Sequence, residues 1–360
     1  MAKTQTLPIG KLPAHLLKQL LGAYAPRRHA RVVVGPGIGL DAAAIDLGTR
    51  YLVAKTDPIT FVADEIGTYA LTINANDLAT MGATPRWFLV TLLLPCGTRI
   101  SHVKRIFAQL DRACRLSRVA LCGGHTEVTP VVARPVVVGC LLGECAKSQL
   151  LSTAGARVGD AILLTKGIPI EAVSILARER PQDLRKRHSA AFLARCRRYM
   201  SEPGISVVRD AEIARATGGV HAMHDPTEGG LSAALYELAE AARVGVRVEE
   251  RMIPILPEGA KVCDQFGLNP LGAIASGALL ICAAPGRESA IRQRLARAGI
   301  RAIRIGRVVP AREGVRLLTT TGRSRALPRF PVDEIARLFA DPKRKAAGGQ
   351  RLRSRSIRRS

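Results

Sequence analysis

The longest patterned stretch of the chain runs from Lys55 to Ala83, KTDPITFVADEIGTYALTINANDLATMGA. The apolar run YLVAK at its start reads as a β-strand that ends in a polar Thr56-Asp57-Pro58 corner. Ile66, Ala70, Ile73, Asp77, Leu78 and Met81 then recur at helical spacing. Upstream, LPAHLLKQLLGAYA reads as an amphipathic helix ended by Pro26, and Val32–Val34 as a short β-branched strand. Downstream come RWFLVTLLLP as a buried strand and a helix over Ile100–Leu116. VALCGGHTEVTP reads as a strand ending at Gly123-Gly124-His125-Thr126-Glu127, and RPVVVGCLLGE is another apolar strand. Several neighbouring strands have no crossover helix between them. The pattern therefore predicts an α+β N-terminal domain, a sheet with helices on one face.

A boundary is expected between Lys147 and Gly159, after which GDAILLTKG opens a second domain. Helical patterns follow at Ile170–Glu179, Leu184–Met200 and Ser206–Thr217. GGVHAMHDPTEGGLSAALYELAEAA predicts a strand, a polar turn and a helix whose first turn carries Thr227 and Glu228. Strands and helices alternate from there through Leu318, as in an α/β domain. The expected organisation is a helical segment at 1–30, an N-terminal domain at 31–147, a C-terminal domain at 155–325 and a disordered basic tail at 341–360.

Composition narrows the function classes. The net charge is +25, of which the last twenty residues, with eight Lys or Arg and one Asp, supply +7. Such a balance favours anionic ligands. Aromatic residues are only 4% of the chain, which argues against nucleic-acid recognition by base stacking. The eight cysteines show no CxxC spacing and read as reduced, small core residues. With no secretory pattern and no apolar run near membrane-spanning length, a soluble cytoplasmic protein is expected, with no membrane partner.

Candidate chemistry lies in polar residues set into apolar surroundings. Asn74, Asn76 and Asp77 interrupt the central helix. Burying such groups unpaired costs several kcal/mol, roughly 2–7 for each neutral one. A bound metal or phosphate would offset that, as would a solvated stripe or a closed amide network. Gly35, Gly37 and Gly39 precede Asp41 in GPGIGLDAA. Alternate glycines suit an anion-cradling loop, but a plain turn between strands is the stronger reading of this spacing alone. Gly229 and Gly230 open a helix whose free N–H groups would suit an anion. His221 and His224 flank that turn as candidates to touch substrate.

In order, GPGIGLDAA, KTD, NANDLATMGA, GGHTEV and HDPTEGGL resemble the AIR synthase-related superfamily, in particular its HypE-like branch, over roughly residues 10–320. The resemblance implies a PurM-like α+β N-terminal domain that binds ATP, an α/β C-terminal domain, and a homodimer formed through the N-terminal sheets. It also implies Mg²⁺ bridging the phosphates of ATP to Asp41, Asp57 and Asp77. Asp57 and Asp77, together with His125, would then be catalytic. Gly35, Gly37, Gly39, Asn76, Gly123, Gly124, Thr126, Asp225, Gly229 and Gly230 match nucleotide-binding motif positions. Lys55 could neutralise phosphate charge, or be an ordinary strand-end lysine. His125 could bond a phosphate or orient Glu127, or be a satisfied turn histidine.

Two departures bear on function. Leu40 stands where many relatives have a second acid, so one metal contact is either absent or supplied from elsewhere. No cysteine follows Cys282, whereas HypE proper carries its carbamoyl group on a terminal cysteine; a thiol nucleophile is not replaced by Ser or Arg. The expectation is an ATP- and Mg²⁺-dependent enzyme that phosphorylates an oxygen of a small or protein-borne acceptor. The alternative is a nucleotide-binding regulatory or assembly protein with little turnover. A weaker third reading, a nucleic-acid factor acting through the tail, predicts salt-sensitive binding that truncation after Pro342 removes.

Overall fold

The computed structural model describes residue 7 and residues 9–25 and 29–340; the basic tail expected at 341–360 lies outside them. Helix α1 (Ala14–Tyr24) precedes strands β1 (Val32–Val34), β2 (Ala43–Asp46) and β3 (Arg50–Ile59). Then come α2 (Ile66–Thr80), β4 (Thr84–Pro95), α3 (Ile100–Ser117), β5 (Ala120–Thr129) and β6 (Val136–Ala146). Among the described residues these strands form a six-stranded sheet in the order β1-β2-β3-β6-β4-β5. Period-two alternation sets its faces. Phe88, Val90, Leu92 and Leu94 of β4, and Val137, Leu141 and Cys145 of β6, are buried. They lie on the sheet face covered by α2, while α3 packs against α2 through Ile106, Leu110 and Ala113.

Helix α2 is buried almost all the way round, which is why no single apolar stripe marks it. It lies against the first sheet on one side and touches the second domain on the other. Its approach to β6 is close enough that glycine is required there. A Cβ on Gly139 would sit 2.5 Å from Asn74 Nδ2 and 2.8 Å from Phe88 Cε2. Gly139→Ala is therefore expected to lower unfolding free energy by about 1–3 kcal/mol, the usual range for overpacking. Urea unfolding checks this, and an unchanged midpoint would contradict the packing described.

The second unit contains β7 (Ala161–Thr165), α4 (Ile170–Glu179), α5 (Pro181–Leu184), α6 (Ala190–Arg198), α7 (Val208–Thr217), β8 (Val220–His224) and α8 (Gly230–Ala242). It continues with β9 (Gly245–Glu249), α9 (Pro257–Phe266), β10 (Leu280–Ala283), α10 (Glu288–Arg297) and β11 (Ala302–Val309). The last described elements are β12 (Val315–Leu318), β13 (Ser324–Ala326) and α11 (Glu334–Ala340). The sheet order is β13-β12-β9-β11-β7-β10-β8, antiparallel except for the β12–β9 pair. Strand β7 is buried on both sides: Ile162 and Leu164 join the cluster under α8, and Leu163 joins the one under α7 and α10. The sheet thus carries helices on both faces, so its central strands read as continuous apolar runs.

Several expectations about elements change; the helical pattern over Leu184–Met200, for one, is divided between α5, which ends at Leu184, and α6, Ala190–Arg198. The strand predicted to end at Thr56 continues as β3 through Asp57 and Pro58 to Ile59, because all of it pairs with β6. Likewise β5 runs on through Gly123–Glu127, paired in parallel with β4, so this segment is an edge strand and not a turn.

Candidate functional site

Three of the predicted acids converge. Asp41 follows the glycine loop, Asp57 lies near the end of β3 and Asp77 lies on α2. All three line one pocket of about 110 Å³ between the two sheets. The opposite wall comes from the second domain and includes His224, Asp225, Thr227, Glu228 and Glu237. Lys55 and Asp57 are two apart on a strand and share a face. Lys55 Nζ lies 3.3 Å from Asp57 Oδ2 and 3.4 Å from Asp77 Oδ2. Burial alone would lower the Lys55 pKa. The carboxylates of Asp77, Asp57, Asp41 and Asp225 outweigh that and hold it above the ordinary lysine value.

Asp41 is fixed from both sides. Thr80, three residues after Asp77 and on the same side of α2, donates its hydroxyl to Asp41 Oδ2 at 2.7 Å. The other oxygen, Oδ1, lies 2.7 Å from His224 Nδ1, and His224 Nε2 lies 2.9 Å from Glu237 Oε2. With a carboxylate on each ring nitrogen, both nitrogens donate and His224 is an imidazolium. Burial opposes this charge, but Asp41 and Glu237 hold the pKa well above the usual histidine value. Glu237 is correspondingly pulled down to about 2, against burial, by Lys11 and His224. Lys11 enters from the segment before α1 and donates to Thr227 Oγ1 at 3.1 Å.

The lining holds the carboxylates of Asp41, Asp57, Asp77, Asp225, Glu228 and Glu237 against the three cations Lys11, Lys55 and His224. Several acids are under strain from burial. Asp77 is raised well above the usual carboxyl value by burial, only partly relieved by Lys55. Asp225 is pushed up to about 7, chiefly by burial and then by the Asp41 charge. Asp77 Oδ2 and both carboxyl oxygens of Asp225 have no hydrogen-bond partner, and these residues are 3% and 1% exposed. Orphaned buried oxygens in an acid-rich pocket fit a hard cation, which takes oxygen ligands. Ligand atoms of Asp41, His224 and Asp225 lie within 4.8 Å of one another. Since both His224 nitrogens are engaged by carboxylates, Asp41, Asp77 and Asp225 form the better set, with Asp57 beside them.

Other predicted site residues have different surroundings. Asn76 is not free to meet a nucleotide: its Nδ2 donates to Ile205 O and its Oδ1 accepts from Val207 N, both at 2.8 Å. It clamps α2 to the second domain. The N–H groups of Gly229 and Gly230, expected to face an anion, are taken by Asp333 Oδ2 and Thr227 O at 2.8 and 2.9 Å. Helix α8 also begins at Gly230, so Thr227 and Glu228 precede its first turn. Gly39 lines the pocket, whereas Gly35 and Gly37 do not. At φ +72°, Gly39 lets the loop meet α8, where a Cβ would lie 2.6 Å from Glu237 O.

His125, Gly123, Gly124 and Thr126 do not line the pocket. The register explains why: Gly124 pairs with Val90, Val90 with Gly139, and Gly139 with Asp57. Three strand spacings separate Gly124 from Asp57, about 14 Å. His125 is 66% exposed on this edge strand, 3.5 Å from Glu127. His221 pairs with Asp160 at 2.8 Å, away from the pocket, while His224 is inside it. Among the cysteines, Cys96 and Cys122 are exposed rather than core residues.

Lys11, Thr80 and Glu237 carried no sequence signal of their own, and Glu171 only a slight one. A charged residue on an otherwise apolar helix turn, as at Glu171 in IEAVSIL, is the one hint available. Glu171 is 5% exposed, and burial, foremost, pushes its pKa up to about 8. The unfolded chain ionises it near the usual 4.5. The folded state thus binds the extra proton between these values. The group's contribution to stability is full below about pH 4.5 and is lost as pH rises towards 8. The stability of Glu171→Gln relative to the unsubstituted protein is expected to rise across that window. Urea midpoints measured at intervals from pH 5 to pH 8.5 would show this, and a difference independent of pH would contradict it.

No helix among the described residues is long and apolar enough to cross a membrane. Comparison with known proteins agrees with the two-unit architecture. Residues 39–145 match the family described as AIR synthase related protein, N-terminal domain, and residues 157–318 match the corresponding C-terminal domain. The carbamoyl dehydratase HypE of Cupriavidus necator is 28% identical over 338 residues, covering 91% of this chain and 92% of that protein. The thiamine-monophosphate kinase of Bacillus subtilis is 29% identical over 248 residues, covering 66% and 74%. A crystal structure of the hydrogenase maturation protein HypE in complex with ATP superposes with a TM-score of 0.67 at 26% identity, covering 87% of this chain and 94% of that one. With both domains matched in order, the chain belongs to the AIR synthase-related superfamily, in its HypE-like branch.

Proposed function

We propose that the protein is an ATP- and Mg²⁺-dependent enzyme that transfers a phosphoryl group to an oxygen of a small or protein-borne acceptor. The observation that carries this reading is the meeting of Asp41, Asp57, Asp77 and Asp225 with Lys55 in one pocket between the domains. A HypE that binds ATP and a kinase among the relatives support it.

Asp41, Asp77 and Asp225 would hold Mg²⁺, with Asp57 beside them. Bound there, the metal supplies charge neutralisation for the phosphates, which is most of what phosphoryl transfer asks of a protein. The chain's own groups do the positioning. His224 and Thr80 fix the two oxygens of Asp41, so that carboxylate cannot rotate away. Lys55 keeps Asp57 and Asp77 together, and its ammonium is available to a phosphate oxygen. Lys11 brings a further cation to the rim. Glu237 and Asp225 supply acids from the second domain where Leu40 leaves one out of the loop.

We also propose that the chain pairs with a second copy through the open face and edge of the first sheet. Trp87, Leu121 and Val128 are exposed there on β4 and β5. Light scattering after size exclusion would test this.

The activity test is ADP release from Mg-ATP, with pools of small metabolites and with cell extract protein as acceptors. Metal-dependent ADP release that one pool stimulates supports the reading and leads to the acceptor. Binding of Mg-ATP without turnover in any pool would replace it with the regulatory one.

A further inference from the structure

Behind Asp57 the acidic pocket continues into a smaller cavity of about 50 Å³ between α4, the end of β3 and the segment carrying Ser276. The two spaces share Asp57, Thr227 and Glu228 in their walls. Much of the inner cavity is apolar, with Ile73, Ile175 and Ile274 among its walls. Two polar side chains, Glu171 and Ser276, are set into it close enough together that Ser276 draws the Glu171 pKa down against burial. Neither Glu171 Oε2 nor Ser276 Oγ completes a hydrogen bond of ordinary geometry, although these residues are only 5% and 0% exposed. A buried carboxyl without a base beside it is among the most costly groups a core can hold. The groups proposed to hold metal and nucleotide do not use it.

The chemistry of the walls selects the occupant. The carboxyls of Asp57, Glu171 and Glu228 face the cavity, and among the described residues no Lys, Arg or His lines it. A phosphate or carboxylate head would be repelled. An apolar head would leave Glu171 and Ser276 with only each other, in a contact too poor to satisfy either. A group that carries positive charge and N–H donors satisfies both, and lets Glu171 ionise in its presence. The volume has room for a head of roughly three to four heavy atoms, not for a whole metabolite. Because Asp57 is common to both spaces, a molecule anchored by its head in this cavity extends towards the acidic pocket.

We propose that this cavity is the anchoring subsite for the acceptor, and that it takes a cationic nitrogen head, an amidinium or alkylammonium, on Glu171 and Ser276. This assignment rests on the phosphoryl-transfer reading for its place in the reaction, but the binding of the head stands on the cavity alone. The acceptor class it names is a nitrogenous cation that carries a nucleophilic oxygen within a few bonds of its charged end.

Acetamidine, acetamide and acetate test it, because they share one shape and differ in charge. Binding of each is measured by ligand-observed NMR at pH 7.5, to the full chain and to Glu171→Gln and Ser276→Ala. Acetamidine is expected to bind saturably, to weaken about tenfold or more in Glu171→Gln, the scale of a lost charge-assisted hydrogen bond, and to weaken less in Ser276→Ala. Acetamide and acetate are expected to bind at least tenfold more weakly than acetamidine. The proposal is overturned if acetate or acetamide binds as well as acetamidine, if acetamidine binding is unchanged in both variants, or if it does not saturate. A parallel Mg-ATP titration separates the two claims. Mg-ATP binding without acetamidine binding sinks the cavity assignment alone. Acetamidine binding without Mg-ATP binding keeps the cation site and removes its place in a phosphoryl transfer.

Discussion

Asp77→Asn is expected to lower acceptor-stimulated ADP release by about 10²–10³-fold, the range seen when one preorganised electrostatic group is removed from a reaction centre. The substitution keeps the side chain's size and leaves Lys55 its second partner, Asp57. What it removes is the carboxyl oxygen, Oδ2, that makes no hydrogen bond in the buried pocket and has Lys55 Nζ 3.4 Å away. Asp111→Asn serves as the control, since Asp111 sits on the outer face of α3, where it pairs with Arg115. A coupled assay for ADP reads both. Equal loss in the two variants, or no loss in Asp77→Asn, would remove Asp77 from the chemistry.

Lys55→Met carries the largest expected effect on stability. Lys55 is the cation shared by Asp57 and Asp77, with 20% of its side chain exposed. Removing it leaves two carboxylates close together without their counter-ion. Breaking a buried pair from one side costs about 3–5 kcal/mol. In metal-free buffer the unfolding free energy is expected to fall by that amount. Added Mg²⁺ and ATP should recover part of it, since a divalent cation compensates the same carboxylates and ligand binding adds stability by mass action. Urea denaturation with and without Mg-ATP measures both. A metal-free loss under about 0.5 kcal/mol, the scale of neutral surface changes, would mean the three side chains do not act as a unit.

Much of this arrangement could be read from local pattern. The apolar runs of β4 and β6 and the helical spacing within α2 mark those elements, which stand near where the sequence puts them. Asp41, Asp57 and Asp77 could be singled out because the ordered motifs that hold them resemble the AIR synthase-related family, and Asp77 also stands out as an acid within an apolar helix. Residues whose surroundings are set by tertiary contacts were not legible in the same way. Asn76 looked like a ligand because a buried amide needs partners, and it finds them in the backbone at Ile205 and Val207, far along the chain. The N–H groups of Gly229 and Gly230 looked free because Asp333, which occupies one of them, lies over a hundred residues later. The glycines at 123 and 124 suggested a turn, but backbone pairing with β4 carries the strand through them. Lys11 and Glu237 had no local mark at all. Each is an ordinary charged residue until the two domains bring it to the pocket.

The titration of Mg-ATP into the purified protein, followed by calorimetry with and without Mg²⁺ and repeated on Asp77→Asn, tests the central claim most directly. The account predicts saturable binding at one site per chain that requires the metal and is weakened at least tenfold by the substitution. Binding that is indifferent to both the metal and Asp77, or no binding at all, would contradict the assignment of this pocket to nucleotide and metal.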